Sequence, residues 1–140
     1  MRYFDTSALL PYYRPEPLSD QVQELLVASE DPVLISVLTE IEFASVLARL
    51  VRMNELDDSR AGLIQAAFQE DIRRGCYRVL DLHREHYHLA RDWLSGRVTS
   101  LRTLDALHLA LAALENAEMI TADNVMAIAA GRFSVQVLML

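Results

Sequence analysis

The sequence predicts an α/β fold, built on a central, mainly parallel five-stranded sheet with helices on both faces. Two observations carry that expectation. Short apolar stretches bounded by breakers or acids recur five times, at Arg2 to Phe4, Val33 to Ser36, Tyr77 to Leu80, Met119 to Thr121 and Ser134 to Leu138. Segments with helical apolar spacing separate them, long enough to serve as right-handed crossovers between parallel strands. No repeat, linker or low-complexity stretch interrupts the pattern, so residues 1–140 are expected to form one domain.

Taken in order, the first strand ends at Asp5, and Thr6-Ser7 open a helix that runs into Ala8, Leu9 and Leu10. Asp, Ser and Thr satisfy free backbone N–H groups at a helix start, which is one plain reason for an acid there. Ser19 is placed to cap a helix reaching about Ala28. Beyond the second strand, Thr39 starts a helix to about Met53 that puts Phe43, Val46, Leu47 and Leu50 on one face. The next helix runs from Asp57 or Asp58 to Arg74 and stops at Gly75, the glycine expected after a helix C-terminus. Further helices are expected over Arg84 to Leu94, Thr103 to Glu115 and Asn124 to Ala130.

A chain of 140 residues buries enough surface to fold without a disulfide or a structural metal. Its single cysteine, Cys76, has no partner within the chain, and the first residues lack the basic-then-apolar pattern of a secretory leader, so a reducing cytoplasm is the expected setting. The longest lipid-like run, Leu107 to Leu114, includes His108 and falls far short of the roughly 20 residues of a membrane span. A soluble protein is expected. Thirteen basic against 20 acidic side chains give a net charge of −7, which argues against nucleic-acid binding unless several acids are occupied by metal. All the basic side chains are Arg, which forks onto phosphate oxygens, but codon bias is the plainer reason for the absence of Lys, so the Arg count alone carries little.

Parallel sheets bind ligands outside the carboxyl ends of their strands, near the point where strand order reverses. Asp5 stands at such an end, and so does Asp123 in MITADN. Two further acids interrupt apolar helices: Glu42 in ISVLTEIEFASVLARL and Asp105 in LRTLDALHLALAAL. Each has a structural reading when taken singly. Asp105 suits a helix N-terminus, worth about 0.3–1 kcal/mol, and Glu42 suits the exposed side of an amphipathic helix.

Together, YFDTSALL, ISVLTEIEFASVLARL, LRTLDALHLA and ITADNVMAIAA match in order and spacing a known family. Over nearly its whole length the chain resembles PIN-domain nucleases, and most closely the VapC-type ribonuclease toxins of prokaryotic toxin–antitoxin pairs. The resemblance implies a PIN-like three-layer sandwich and a catalytic, metal-binding site at Asp5, Glu42, Asp105 and Asp123, supported by Thr6 and Ser7. It also implies an RNA substrate, a VapB-like antitoxin that blocks the acidic groove, and a homodimer, for which the apolar stretch Leu10 to Tyr13 offers interface. The match is weakest over Asp57 to Arg74 and in HREHYH, where no roles are carried over.

The chemistry supplies its own reason for such a quartet. Two carboxylates about 4 Å apart repel by roughly 4 kcal/mol at an effective dielectric near 20, a penalty that a divalent cation removes. Oxygen ligands with retained waters suit Mg²⁺ or Mn²⁺ rather than zinc. Such a cation binds a phosphate oxygen, lowers the pKa of a water and stabilises charge during in-line attack, which is phosphodiester hydrolysis. Direct metal contact falls to Asp5 and Asp105, with Glu42 in contact or orienting the nucleophile and Asp123 in an outer position or at a second metal. Four acids so occupied would reduce the remaining charge from −7 to −3.

Arg97 and Arg102, just before Asp105, are candidates for RNA phosphates and equally for ordinary solvated arginines. His108, one turn after Asp105, either faces the site or packs in the core. The histidines His83, His86 and His88 near Cys76 fit no standard zinc spacing. Receiver domains and haloacid-dehalogenase-type phosphatases also end a parallel strand in Asp, but both use a Lys that this chain lacks, and the phosphatases want an acid where Ser7 stands. A housekeeping RNA-processing nuclease and a catalytically silent PIN-fold binding module remain the alternatives to a toxin.

Overall fold

A computed structural model describes residues 1–140. Five strands, β1 (Arg2–Phe4), β2 (Val33–Ser36), β3 (Tyr77–Leu80), β4 (Glu118–Thr121) and β5 (Val137–Met139), form one sheet in the order β3-β2-β1-β4-β5. Every neighbouring pair is parallel. Seven helices connect them: α1 (Thr6–Tyr13), α2 (Ser19–Val27), α3 (Val37–Arg52), α4 (Asp58–Arg73), α5 (Arg84–Ser95), α6 (Thr103–Leu114) and α7 (Asn124–Arg132).

The sheet is buried on both faces because its strands carry apolar residues at both parities. In β1, Tyr3 enters one core with Ala106, Leu109 and Ala110 of α6, while Phe4 enters the other with Phe43 of α3 and Phe68 of α4. Met119 and Ile120 of β4 divide in the same way. This is the two-residue alternation of a strand read between two helical layers. One layer is drawn from α1 to α4 and the other from α5 to α7.

The chain first lays β2 and β3 on one side of β1, then crosses back to lay β4 and β5 on the other. Strand order therefore reverses between β1 and β4, and a crevice opens above their carboxyl ends. Asp5 N donates to Ile120 O at 3.3 Å, which carries the β1–β4 pairing one residue past the strand and fixes Asp5 at that point.

Three local boundaries differ from the sequence expectation. Helix α3 begins at Val37, two residues before Thr39, because Ser36 ends β2 and turns the chain at once, with Ser36 N donating to Thr39 Oγ1 at 3.2 Å. Ser19 is the first helical residue of α2 rather than its cap; its hydroxyl donates to Pro11 O at 2.6 Å and accepts from Glu16 N, tying α2 to the end of α1. Strand β5 begins at Val137 rather than Ser134, whose φ of 58° belongs to a turn. Gly75 follows α4 as expected and takes the left-handed φ of 75° that suits a glycine after a helix.

Candidate active site

The crevice above β1 and β4 is a cleft of about 320 Å³ lined by Asp5, Thr6, Ser7, Leu10, Glu42, Val46, Arg49, Asp105, His108, Asp123 and Met126. All four acids singled out in the sequence reach it from different elements. Asp5 caps α1, Glu42 stands on α3, Asp105 lies in the first turn of α6 and Asp123 caps α7. The two helical layers meet over the strand ends here, one bringing Glu42 and the other Asp105.

Asp5 is 3% exposed and is held by three donors. Its Oδ1 accepts from Ala8 N at 2.9 Å and Ser7 Oγ at 2.7 Å, and its Oδ2 accepts from Thr121 Oγ1 at 2.6 Å. Burial pushes its pKa above the ordinary carboxylate range, against the opposing pull of those hydroxyls, of His108 and of the Ala8 N–H. The Ser7 hydroxyl also accepts from Ala122 N at 3.0 Å, bridging Asp5 to the turn that presents Asp123.

Glu42 takes both its donors on one oxygen. Thr6 Oγ1 donates to Oε1 at 3.1 Å, and His108 Nε2 contacts the same atom. Burial alone would raise the pKa of this acid, but the hydrogen bond and charge of His108, with the Thr6 hydroxyl, hold it below its ordinary value. The other nitrogen of His108, Nδ1, lies 2.6 Å from Tyr3 Oη, which in turn lies 2.8 Å from Ser36 Oγ. His108 is thus both a buried core histidine, 2% exposed, and a wall of the cleft.

Asp105 and Asp123 also serve their own helices. Asp105 Oδ2 accepts from Arg102 N at 3.3 Å, and Asp123 Oδ1 accepts from Val125 N at 2.8 Å and Met126 N at 3.2 Å. Burial raises the pKa of Asp105, the charges of Asp123 and Glu42 push the same way, and the Arg102 N–H and His108 oppose them. The structural reading of Asp105 as a helix-start acid and its place in the cleft therefore hold together.

The hydrogen bonds leave a common pattern. Glu42 Oε2, Asp105 Oδ1 and Asp123 Oδ2 accept nothing from the protein, and Asp5 Oδ2 accepts only from Thr121. A carboxylate oxygen has two acceptor directions, so each acid keeps an open one. Four open carboxylate oxygens in one cleft are the donor chemistry of a hard divalent cation. No three of these side chains converge to the spacing of a bound ion.

Arg49 was not singled out by sequence reading. It lies seven residues after Glu42, two helical turns along the same face of α3, and lines the cleft as an exposed guanidinium outside the chain's ion pairs. The 42–46–49 spacing was the available signal, obscured by the apolar run around it. Arg97 and Arg102 do not line the cleft: Arg102 precedes α6, and Arg97 borders a separate groove with Tyr87, Arg91 and Leu94. His83 and His86 are occupied by the start of α5, where His86 Nδ1 accepts from His83 N at 2.9 Å, and Cys76 is exposed. In the Leu10 to Tyr13 stretch, Tyr12 is exposed, whereas Tyr13 turns inward and donates to Asp71 Oδ2 at 2.6 Å. No helix is long and apolar enough to cross a membrane.

A family model of the PIN domain matches residues 2–131. The chain belongs to the PIN domain family. Among solved structures it is similar to FitAcB from Neisseria gonorrhoeae, at 20% identity and a TM-score of 0.76, with 99% of this chain and 96% of that chain covered. It is also similar to VapC20 of Mycobacterium tuberculosis, a sarcin–ricin loop cleaving toxin, at 16% identity and a TM-score of 0.70, over 92% and 95% of the two chains. VapBC2 from Rickettsia felis, bound to a promoter DNA fragment, matches at 16% identity and a TM-score of 0.69, over 100% and 99%. A search of curated proteins finds no match.

Proposed function

We propose that this chain is a Mg²⁺- or Mn²⁺-dependent endoribonuclease and the toxin of a VapBC-type toxin–antitoxin pair. The observation that carries the reading is the set of four carboxylates, each with an open oxygen, in the cleft where strand order reverses in a PIN fold. Asp5 and Asp105 would hold the cation, with Glu42 beside them and Asp123 at the outer edge. A cation bound there supplies positive charge to the scissile phosphate and lowers the pKa of the attacking water.

The chain's own groups do the rest. Thr6 and Ser7 fix Glu42 and Asp5, so that neither carboxylate has to be ordered when substrate arrives. Glu42 Oε2, which takes no protein donor, would be available to the cation directly or through a water bound to it. Arg49 offers two parallel N–H donors to a phosphate flanking the cut. Arg97 and Arg102 would meet RNA only beyond the cleft. The likeness to VapBC2, solved on a fragment of its promoter DNA, supports a VapB-like antitoxin as the partner of this chain, with a basic side chain drawn to the acids.

The test is cleavage of a single-stranded RNA, with melting followed in parallel. Mn²⁺ at millimolar concentration is expected to raise the melting temperature, because a ligand bound only by the folded state stabilises it by mass action, and EDTA is expected to abolish both the rise and the cleavage. Expression of the chain alone is expected to arrest growth, and co-expression of its antitoxin to restore it. Cleavage unaffected by EDTA, or melting indifferent to Mn²⁺, would defeat the metal reading. Unimpaired growth with soluble, active protein would defeat the toxin reading.

Arg49→Ala is expected to raise KM for RNA severalfold, by about 1 kcal/mol in binding, with kcat little changed, since a flanking-phosphate contact is made equally in ground and transition states. Steady-state kinetics at two salt concentrations check this. An unchanged KM would return Arg49 to the solvated surface.

A further inference from the structure

We infer that Ser36, Tyr3 and His108 form a buried hydrogen-bond relay that positions Glu42, directing a single N–H onto Oε1 so that Oε2 alone is presented to a cation in the cleft. This rests on the cation-site reading above and gives a role to residues that reading leaves unused.

The contact that sets Glu42 follows from what each group can do. A carboxylate only accepts, so His108 Nε2 donates to Glu42 Oε1. The other ring nitrogen, Nδ1, lies 2.6 Å from Tyr3 Oη, so the imidazole is held from both sides. Tyr3 Oη is hydrogen-bonded in turn to Ser36 Oγ at 2.8 Å.

Every member but Glu42 is sealed. Tyr3 and Ser36 are 0% exposed and His108 is 2% exposed, and no buried side-chain nitrogen or oxygen lacks a partner. A ring bonded at both nitrogens has one orientation, so it cannot swing to offer a different atom to Glu42. Thr6 Oγ1 joins His108 on the same oxygen. Two donors on Oε1 and none on Oε2 make Glu42 a one-oxygen ligand with its plane fixed. The relay also spans the fold: Tyr3 comes from β1, Ser36 from the end of β2, Glu42 from α3 and His108 from α6. It therefore sets Glu42, on one helical layer, relative to Asp105, one turn from His108 on the other.

The test measures Mn²⁺ affinity at 25 °C by the loss of free-ion electron paramagnetic resonance signal, alongside melting in EDTA. His108→Leu is expected to weaken Mn²⁺ binding at least about tenfold, the lower range for removal of an outer partner of a metal ligand. His108→Gln retains an N–H that can reach Glu42 and is expected to stay within about threefold of wild type, by the same scale. Tyr3→Phe, which interrupts the relay without touching Glu42, is expected to fall between the two and keeps the test open if His108→Leu does not fold. A purely structural role would lower melting in EDTA for all three and leave Mn²⁺ affinity alike among the folded variants, which overturns the relay while sparing the cation site. Equal losses in His108→Gln and His108→Leu also overturn it. Absence of Mn²⁺ binding to wild type overturns the cation site and the relay with it.

Discussion

Asp105→Asn is expected to lose RNA cleavage by at least about a hundredfold while melting no lower than wild type in EDTA, the size of loss that disturbed metal sites show. The two halves of that result have different causes. Activity would fall because an amide replaces the carboxylate proposed to hold the cation, at nearly constant shape. Stability holds because the charge on Asp105 works against the fold. Its pKa is raised by burial foremost, with the charges of Asp123 and Glu42 adding to it. A carboxyl with a folded pKa above its unfolded value binds its proton more tightly in the native state. Its ionisation therefore costs stability near neutrality, and the cost is relieved as pH falls through the folded value.

Wild type and Asp105→Asn should accordingly melt alike at acid pH, with the mutant equal or higher near pH 7. The Asn oxygen remains able to accept from Arg102 N, so the start of α6 is kept. If Asp105 were only a helix-start acid, the same change would cost a few tenths of a kcal/mol and leave cleavage intact, roughly the size of a charge–dipole interaction. A variant less stable yet fully active would remove Asp105 from the site.

At Asp5 activity and stability are joined, and the choice of substitution separates them. Asp5→Ala is expected to abolish cleavage and to lower stability by on the order of 3 kcal/mol, because a buried donor left without an acceptor costs about 1–3 kcal/mol. Three donors lose their acceptor: the Ala8 N–H and the hydroxyls of Ser7 and Thr121. Ser7 is exposed and can turn to water, so Ala8 and Thr121 carry most of the cost. Relief of a buried charge offsets part of it. Asp5→Asn keeps an oxygen for Ala8 and is expected to melt near wild type while remaining inactive. Urea unfolding and RNA cleavage on the pair check this. An Asp5→Ala protein as stable as wild type would show that Asp5 does not hold the turn, and an active Asp5→Asn would show that its charge is not used.

The acids of the cleft were legible in the sequence because each marks a local event. Asp5 and Asp123 interrupt the chain where an apolar strand gives way to a helix, and Asp105 opens the most apolar helix. The strands were legible for a related reason: residues buried on both faces read as short apolar runs; β5 is shorter than its apolar run because Ser134, at a φ of 58°, is in a turn and the strand begins only at Val137. Arg49 escaped because a helical face two turns long is diluted by the apolar residues between its members. Arg97 and Arg102 are close to Asp105 in sequence but not in the cleft: Arg97 sits in the turn after α5, and the start of α6 directs Arg102 and Asp105 to different sides.

The α/β order, the ends of most elements and the identity of the four acids are written along the chain, since capping, periodicity and breakers act within a few residues. Which oxygens those acids keep open, and what orients them, emerges only when the elements pack. Glu42 and His108 are 66 positions apart, and Tyr3 and His108 are 105 positions apart. No local spacing encodes contacts of that range; they exist because the parallel sheet reverses its strand order between β1 and β4 and brings its two helical layers together above the strand ends.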